Sequence, residues 1–140
     1  MVEHPGAVAI VAWDGERLAM VRQWRHPAER ELLEIPAGTI DPGETPLVTA
    51  RRELTEETGL SADRWDEGPS FFTAPGFCTE RLTVYLATGL HAGKATGAAD
   101  EIIEVERLTL EEALTAVDDG SVADAKSLAA ILWLARRLAR

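Results

Sequence analysis

Three glutamates, Glu53, Glu56 and Glu57, fall in one stretch that reads as a helix from Thr45 to Thr58. Spacings of three and four residues project all three within about 100° of arc, so they form one acidic stripe. Like charges at these spacings repel by a few tenths of a kcal/mol per pair, and mid-helix they gain nothing from the macrodipole. Arg51 and Arg52 relieve part of that repulsion. A hard divalent cation relieves more, because Mg2+ takes carboxylate oxygens together with waters and bridges them to bound phosphates. The chemistry open to such a stripe is displacement at phosphorus, with charge neutralised on the non-bridging oxygens and a water activated to attack. The same residues would also make an ordinary solvated helix face, so the neighbouring sequence must decide.

The neighbours are Gly38, Glu44, Arg52, Glu53, Leu54, Glu56, Glu57, Gly59 and Leu60. This set resembles the Nudix box: Gly, five residues, Glu, seven residues, Arg-Glu, an apolar residue, any residue, Glu-Glu, any residue, Gly and an apolar residue. Every term is met, and a chance match is rarer than roughly one in a hundred million at ordinary residue frequencies. The resemblance implies a Nudix hydrolase in which Glu53, Glu56, Glu57 and the backbone carbonyl of Ala37 bind Mg2+, with Mn2+ able to stand in for it. It also implies that Glu44 and Arg52 support the site by tying loop to helix.

Flanking segments narrow the substrate. Pro75 lies fifteen residues beyond Leu60, and Pro75-Gly76-Phe77 with Glu80 resembles the marker of the ADP-ribose pyrophosphatase branch. Val21 to Arg25 is similar to that branch's substrate-facing strand, in which Gln23 and Arg25 would approach diphosphate and ribose. Asp119 to Leu134 is similar to its closing helices, so the resemblance spans about Gly6 to Leu138. It implies binding of ADP-ribose or a related nucleoside diphosphate sugar by Gln23, Arg25, Pro75, Gly76, Glu80 and Arg81, and release of AMP and ribose 5-phosphate. Another nucleoside diphosphate derivative, a dinucleotide, and a non-catalytic nucleotide sensor are the alternatives, the last disfavoured by the unbroken box.

Two departures from the branch stand out. Relatives usually carry an additional N-terminal strand unit that exchanges between subunits and helps hold adenine, whereas this chain begins at the core; the expected homodimer and the adenine pocket are therefore left open. Where the branch tends to place two alternating acids before the last strand, this chain has Ala99, Asp100 and Glu101. Glu53, Glu57 and Glu101 are the candidates for the general base, with Asp100 behind them, since a base must reach the attacking water.

The elements that must hold these residues follow from pattern. Ala7 to Trp13, the hairpin signal Asp14-Gly15 and Arg17 to Trp24 predict strand, tight turn and strand. Leu32 to Pro36 predicts a third strand, and Asp41-Pro42-Gly43 a turn into the helix, with Pro46 in its first turn, Leu47, Ala50 and Leu54 on its buried face and Gly59 as its stop. Phe71 to Thr73, Leu82 to Thr88 and Ile102 to Leu108 predict further strands, with Ala92 to Ala99 an exposed mobile loop. Thr109 and Glu112 form a capping box for a helix ending near Gly120, and Asp124 caps a last helix through Leu138. The expected fold is α/β, or α+β in the Nudix manner: one domain over residues 1 to 140, a mixed sheet sandwiched between helices.

Composition excludes several functions. At 140 residues, 46% hydrophobic and 27% charged, the chain suits one ordered globular domain. A net charge of −10 disfavours broad nucleic-acid binding and requires local cations to hold a small anion. Cys78 is the only cysteine, which rules out an internal disulfide and suits the cytoplasm. Met1 to Pro5 lacks signal-peptide character, and no apolar run nears the roughly 20 residues that span a bilayer, so neither export nor membrane insertion is expected. His4, His26 and His91 show no ligand spacing. Trp13, Trp24, Trp65 and Trp133 read as core or surface residues, with Trp24 the best placed to stack on a base, and Cys78 reads as packing.

Overall fold

The computed structural model describes residues 1–93 and 104–140. Ala99, Asp100 and Glu101 lie outside the described residues, as does most of the Ala92 to Ala99 stretch. Seven strands and three helices are described: β1 Ala7–Ala12, β2 Arg17–Arg25, β3 Arg30–Glu34, β4 Ala37–Thr39, α1 Pro46–Thr58, β5 Ser61–Phe72, β6 Arg81–His91, β7 Glu104–Thr109, α2 Leu110–Asp118 and α3 Ala125–Leu138.

β1 is the organising strand. Its six residues, all apolar, are all buried, and the alternation of a strand sends them to two cores. Ala7, Ala9 and Val11 face one with Leu82, Val84, Ile131 and Leu134; Val8, Ile10 and Ala12 face the other with Ala50 and Leu54 of α1. A continuous apolar run is what a strand covered on both faces requires. The sheet is mixed, in the order β4-β1-β6-β5, with β1 and β6 parallel and the outer pairs antiparallel. Helices on both faces give the sandwich expected from the sequence.

A second, antiparallel sheet, β3-β2-β7, departs from the single sheet expected. The tight turn is present: Asp14 Oδ1 accepts from the N–H groups of Glu16 and Arg17, and Asp14 N donates to Arg17 O at 3.1 Å. Pairing nevertheless stops at the bridge between Trp13 and Leu18, and the two strands part into different sheets. A turn signal fixes local chain reversal, whereas the long-range partners of each arm are set by burial.

β5 is also longer than expected. The sequence reads as strand only from Phe71 to Thr73, because residues 61 to 70 are largely polar and contain Gly68-Pro69, and β5 ends at Phe72. Among the described residues that segment is a sheet edge paired only with β6, and its register shifts between Glu67 and Ser70, where a proline without an N–H is tolerated.

α1 begins one residue later than the expected Thr45, because Thr45 is extended and acts as its N-cap. Thr45 Oγ1 accepts from Val48 N at 3.3 Å, Pro46 occupies the first turn, and Gly59 stops the helix at φ 77°. Leu54 and Ala50 are fully buried and Leu47 packs at the margin, which locks the roll of the helix about its axis. Truncating Leu54 to alanine would cost about 2–5 kcal/mol and release that lock. Thr109 and Glu112 form the predicted capping box of α2, and Asp124 accepts from Ser127 N to cap α3. Among the described residues no helix is long and apolar enough to cross a membrane.

Candidate active site

With Leu54 and Ala50 turned inward, Glu53, Glu56 and Glu57 turn toward a cleft of about 700 Å3. The cleft is bounded by β4 at Ala37 to Thr39, by Gln23 and Arg25 of β2, by Thr73 and Glu80, and by Asp124 to Lys126 at the start of α3. α1 is thus the acidic wall, and Arg25 and Lys126 bring positive charge to the same cavity.

Arg52 organises the acidic wall. Its guanidinium donates to both oxygens of Glu44 at 2.9 Å, the bidentate geometry that binds a carboxylate best, and lies 3.2 Å from Asp41. The expected tie between loop and helix is therefore present. Nη1 of the same group reaches Glu53 at 3.0 Å and Glu56 at 3.1 Å. Arg52 holds the Glu44 carboxyl down at about 2, with Thr49 Oγ1 and the N–H of Asp41 assisting.

Glu57 lies deepest. Its Oε2 accepts from Ala37 N at 3.2 Å, while burial, and then the charge of Glu53, push its carboxyl up to about 8. Burial raises Glu53 as well, with Arg52 pulling it back. Glu53 owes its approach to Gly38, since a Cβ at that position would stand 2.5 Å from Glu53 Cγ and nearer still to the carboxylate. With Arg52 engaging two of the carboxylates, no three acids, histidines or cysteines among the described residues converge on one point in this side-chain arrangement. The donor set still fits a hard cation: every donor is an oxygen, and Glu57, buried with its pKa raised, has no ion-pair partner among the described residues.

Opposite charge comes from a network that the sequence reading missed. Glu34, 2% exposed at the end of β3, accepts from Arg25 Nε at 2.7 Å and Nη2 at 3.0 Å, and also from Lys126 Nζ. Burial pushes Glu34 up, but Arg25 and Lys126 together hold it below the usual carboxylate range. Lys126 also donates to Asp124 Oδ1 at 2.9 Å, while Asp124 Oδ2 is buried without a partner among the described residues. The available signal was an acid inside the apolar run Leu32-Leu33-Glu34-Ile35, which a buried strand tolerates only when the acid is paired.

Of the residues expected to meet substrate, Gln23, Arg25 and Glu80 line the cleft with the carboxylates. Pro75 and Gly76 instead line a smaller apolar depression beside Phe72 and Phe77. Arg81 is exposed, donates to Ser70 Oγ at 2.9 Å and stacks over the Phe72 ring at 5.2 Å, so it is not part of the cleft lining. Trp24 is absent from the lining too, because in a strand it faces away from Gln23 and Arg25. Cys78 is half-buried, its sulfur accepting from Glu80 N at 3.4 Å. His91 pairs with Asp63 on the surface. His4, which the sequence reading set aside, contacts Glu80.

Comparison with known proteins bears on this geometry. The NUDIX domain matches residues 3–131. A Bacillus subtilis (strain 168) protein named ADP-ribose pyrophosphatase is 45% identical over 137 residues, covering 96% of this chain and 74% of that protein. A Bacillus methanolicus protein named methanol dehydrogenase activator is 42% identical over 139 residues, with the same coverages. A crystal structure described as an ADP compounds hydrolase superposes with a TM-score of 0.87 at 26% identity, over 95% of this chain and 72% of that one.

Proposed function

The chain belongs to the Nudix family, and from that premise we propose that it hydrolyses the diphosphate bond of ADP-ribose, or of a closely related nucleoside diphosphate sugar, to AMP and ribose 5-phosphate. The observation that carries this reading is the two-sided cleft: three carboxylates on α1 share one cavity with Arg25 and Lys126. A diphosphate needs both, a cation site on one side and fixed positive charge on the other.

Dependence on a divalent cation is general in this family, and the all-oxygen donor set favours Mg2+, with Mn2+ as a substitute. Glu53, Glu56 and Glu57, helped by the Ala37 carbonyl, would hold it. When bound, the ion supplies charge neutralisation on the diphosphate and polarises the attacking water. Arg25, fixed by Glu34, and Gln23 orient the diphosphate. Water attacks one phosphorus, the bridging P–O bond breaks, and the proton passes to a carboxylate. Glu53 and Glu57 are the candidates within the cleft, and Glu101 is a third.

The name of the Bacillus subtilis relative supports ADP-ribose, and the name of the Bacillus methanolicus relative favours one second reading, a Nudix module that acts on a partner enzyme. One assay separates them. The protein is incubated with Mg2+ and ADP-ribose, ADP-mannose or NADH in heavy-oxygen water. ADP-ribose should turn over fastest, with label in one product; tight binding without product would overturn the enzyme reading.

A further inference from the structure

Glu80 lines the cleft yet has the wrong charge for a diphosphate. A carboxylate only accepts hydrogen bonds, so its partners on a nucleoside diphosphate sugar are hydroxyl or amino groups, never phosphate oxygens. Which way it accepts depends on what holds it. Thr73 Oγ1 donates to Oε1, and His4 Nε2 stands 3.2 Å from Oε2.

His4 is itself held. The backbone N–H of Gly6 donates to its Nδ1 at 3.0 Å, and its own N–H donates to Thr79 Oγ1 at 2.8 Å. A backbone N–H can only donate, so Nδ1 carries no proton and the ring proton sits on Nε2, the nitrogen within ion-pair range of Glu80 Oε2. The segment carrying His4 is anchored at both ends. Val2 N donates to Phe77 O at 2.6 Å and Thr79 N to Val2 O at 2.9 Å, while Gly6 O accepts from Ile40 N at 3.0 Å. Gly6 takes φ +105°, which a side chain would resist, so the turn that aims its N–H at the imidazole depends on glycine.

We propose that His4 is a positioning residue for the substrate site: its Nε2–H, in a tautomer set by Gly6, orients the Glu80 carboxylate toward the sugar hydroxyls of the bound nucleoside diphosphate sugar. The substrate clause rests on the pyrophosphohydrolase reading; the link between His4 and Glu80 does not.

The test pairs kinetics with nitrogen NMR. His4→Phe keeps the ring and removes the donor, and should raise KM for ADP-ribose on the order of tenfold with kcat little changed. His4→Gln places an amide N–H where Nε2 was and should restore most of the loss. Thr73→Val, which removes the hydroxyl that donates to the same carboxylate, should move KM in the same direction. In a Glu80→Gln background, His4→Phe should add nothing. Nitrogen-15 spectra of wild-type protein should show His4 protonated at Nε2 and bare at Nδ1. A proton on Nδ1, additive losses in the double variant, or a fall in kcat with KM unchanged would each overturn the proposal. If the wild type cleaves no nucleoside diphosphate sugar, the enzyme reading and the substrate clause fall together, and the NMR result alone decides the His4–Glu80 link.

Discussion

In a Gly38→Ala variant the new Cβ would meet Glu53 Cγ at 2.5 Å. Ordinary carbon contacts lie near 3.5–4 Å, so the Glu53 side chain must retreat by about 1 Å. The backbone tolerates the change: Gly38 is paired with Val8 in β4 and is not among the glycines of positive φ. Alanine there restricts the unfolded chain and returns about 0.4–1 kcal/mol. Weakening the Arg52–Glu53 pair, whose side chains are 28% and 14% exposed, removes up to about 1 kcal/mol. The two nearly cancel, so the melting temperature should stay within about 5 °C of wild type. Activity has no such compensation. Displacing a reacting carboxylate by about 1 Å costs on the order of a hundredfold, and the loss should fall on kcat because Arg25 and Glu80 are untouched. Phosphate released from AMP and ribose 5-phosphate by excess phosphatase gives the rate, and a thermal melt gives the stability. Turnover within about threefold of wild type would refute the reasoning. So would a melting temperature lowered by more than about 10 °C, which would make the glycine a requirement of the fold.

Three further outcomes follow from the same geometry. Glu53→Gln and Glu57→Gln should each lower kcat by about a hundredfold or more at saturating Mg2+, and near-normal rates in both would exclude them as base and as ion ligands. In chelator, stability should fall as pH rises from about 4.5 to about 8. The fold favours protonated Glu57, so its contribution is full below about pH 4.5, erodes above that and is lost through about pH 8, a swing of up to several kcal/mol. Added Mg2+ should flatten the decline, and melts that rise with pH in chelator would contradict it. Glu34→Gln leaves Arg25 without its carboxylate partner and Lys126 with Asp124 alone, and should cost about 2–3 kcal/mol in urea unfolding, below the figure for a fully buried pair because Arg25 is 44% exposed and Lys126 keeps one anion; a loss under about 0.5 kcal/mol would show that water and Asp124 satisfy them.

What the sequence revealed, and what it did not, divides along the range of the interactions. α1 was legible to within one residue because its signals are local: Pro46 enters, Gly59 stops, and Leu54 with Ala50 sets the inward face, which points Glu53, Glu56 and Glu57 the other way. The Glu44–Arg52 tie was legible from the resemblance. The separation of β1 from β2 was not, since Asp14-Gly15 reports only a reversal of the chain and says nothing of β6 or β7. β5 was hidden because an edge strand can be polar and can carry proline at a bulge. The wall facing α1 was hidden for a similar reason. Lys126 meets Glu34 across 92 residues, and His4 meets Glu80 across 76, distances over which no periodicity speaks. Arg81, which the resemblance placed at the substrate, opens β6 and lies over Phe72 outside the cleft lining, a contact between strands that its own neighbours in sequence do not report.

The central claim is that the α1 carboxylates hold the cations that grip a diphosphate. It is tested most directly by diffraction from crystals soaked in Mn2+ with a non-hydrolysable ADP-ribose analogue, reading the anomalous signal of the metal. The account predicts anomalous peaks within coordination distance of Glu53, Glu56 and Glu57, with the diphosphate between them and Arg25. Peaks elsewhere, or an analogue bound in the cleft with no metal beside those three carboxylates, would contradict it.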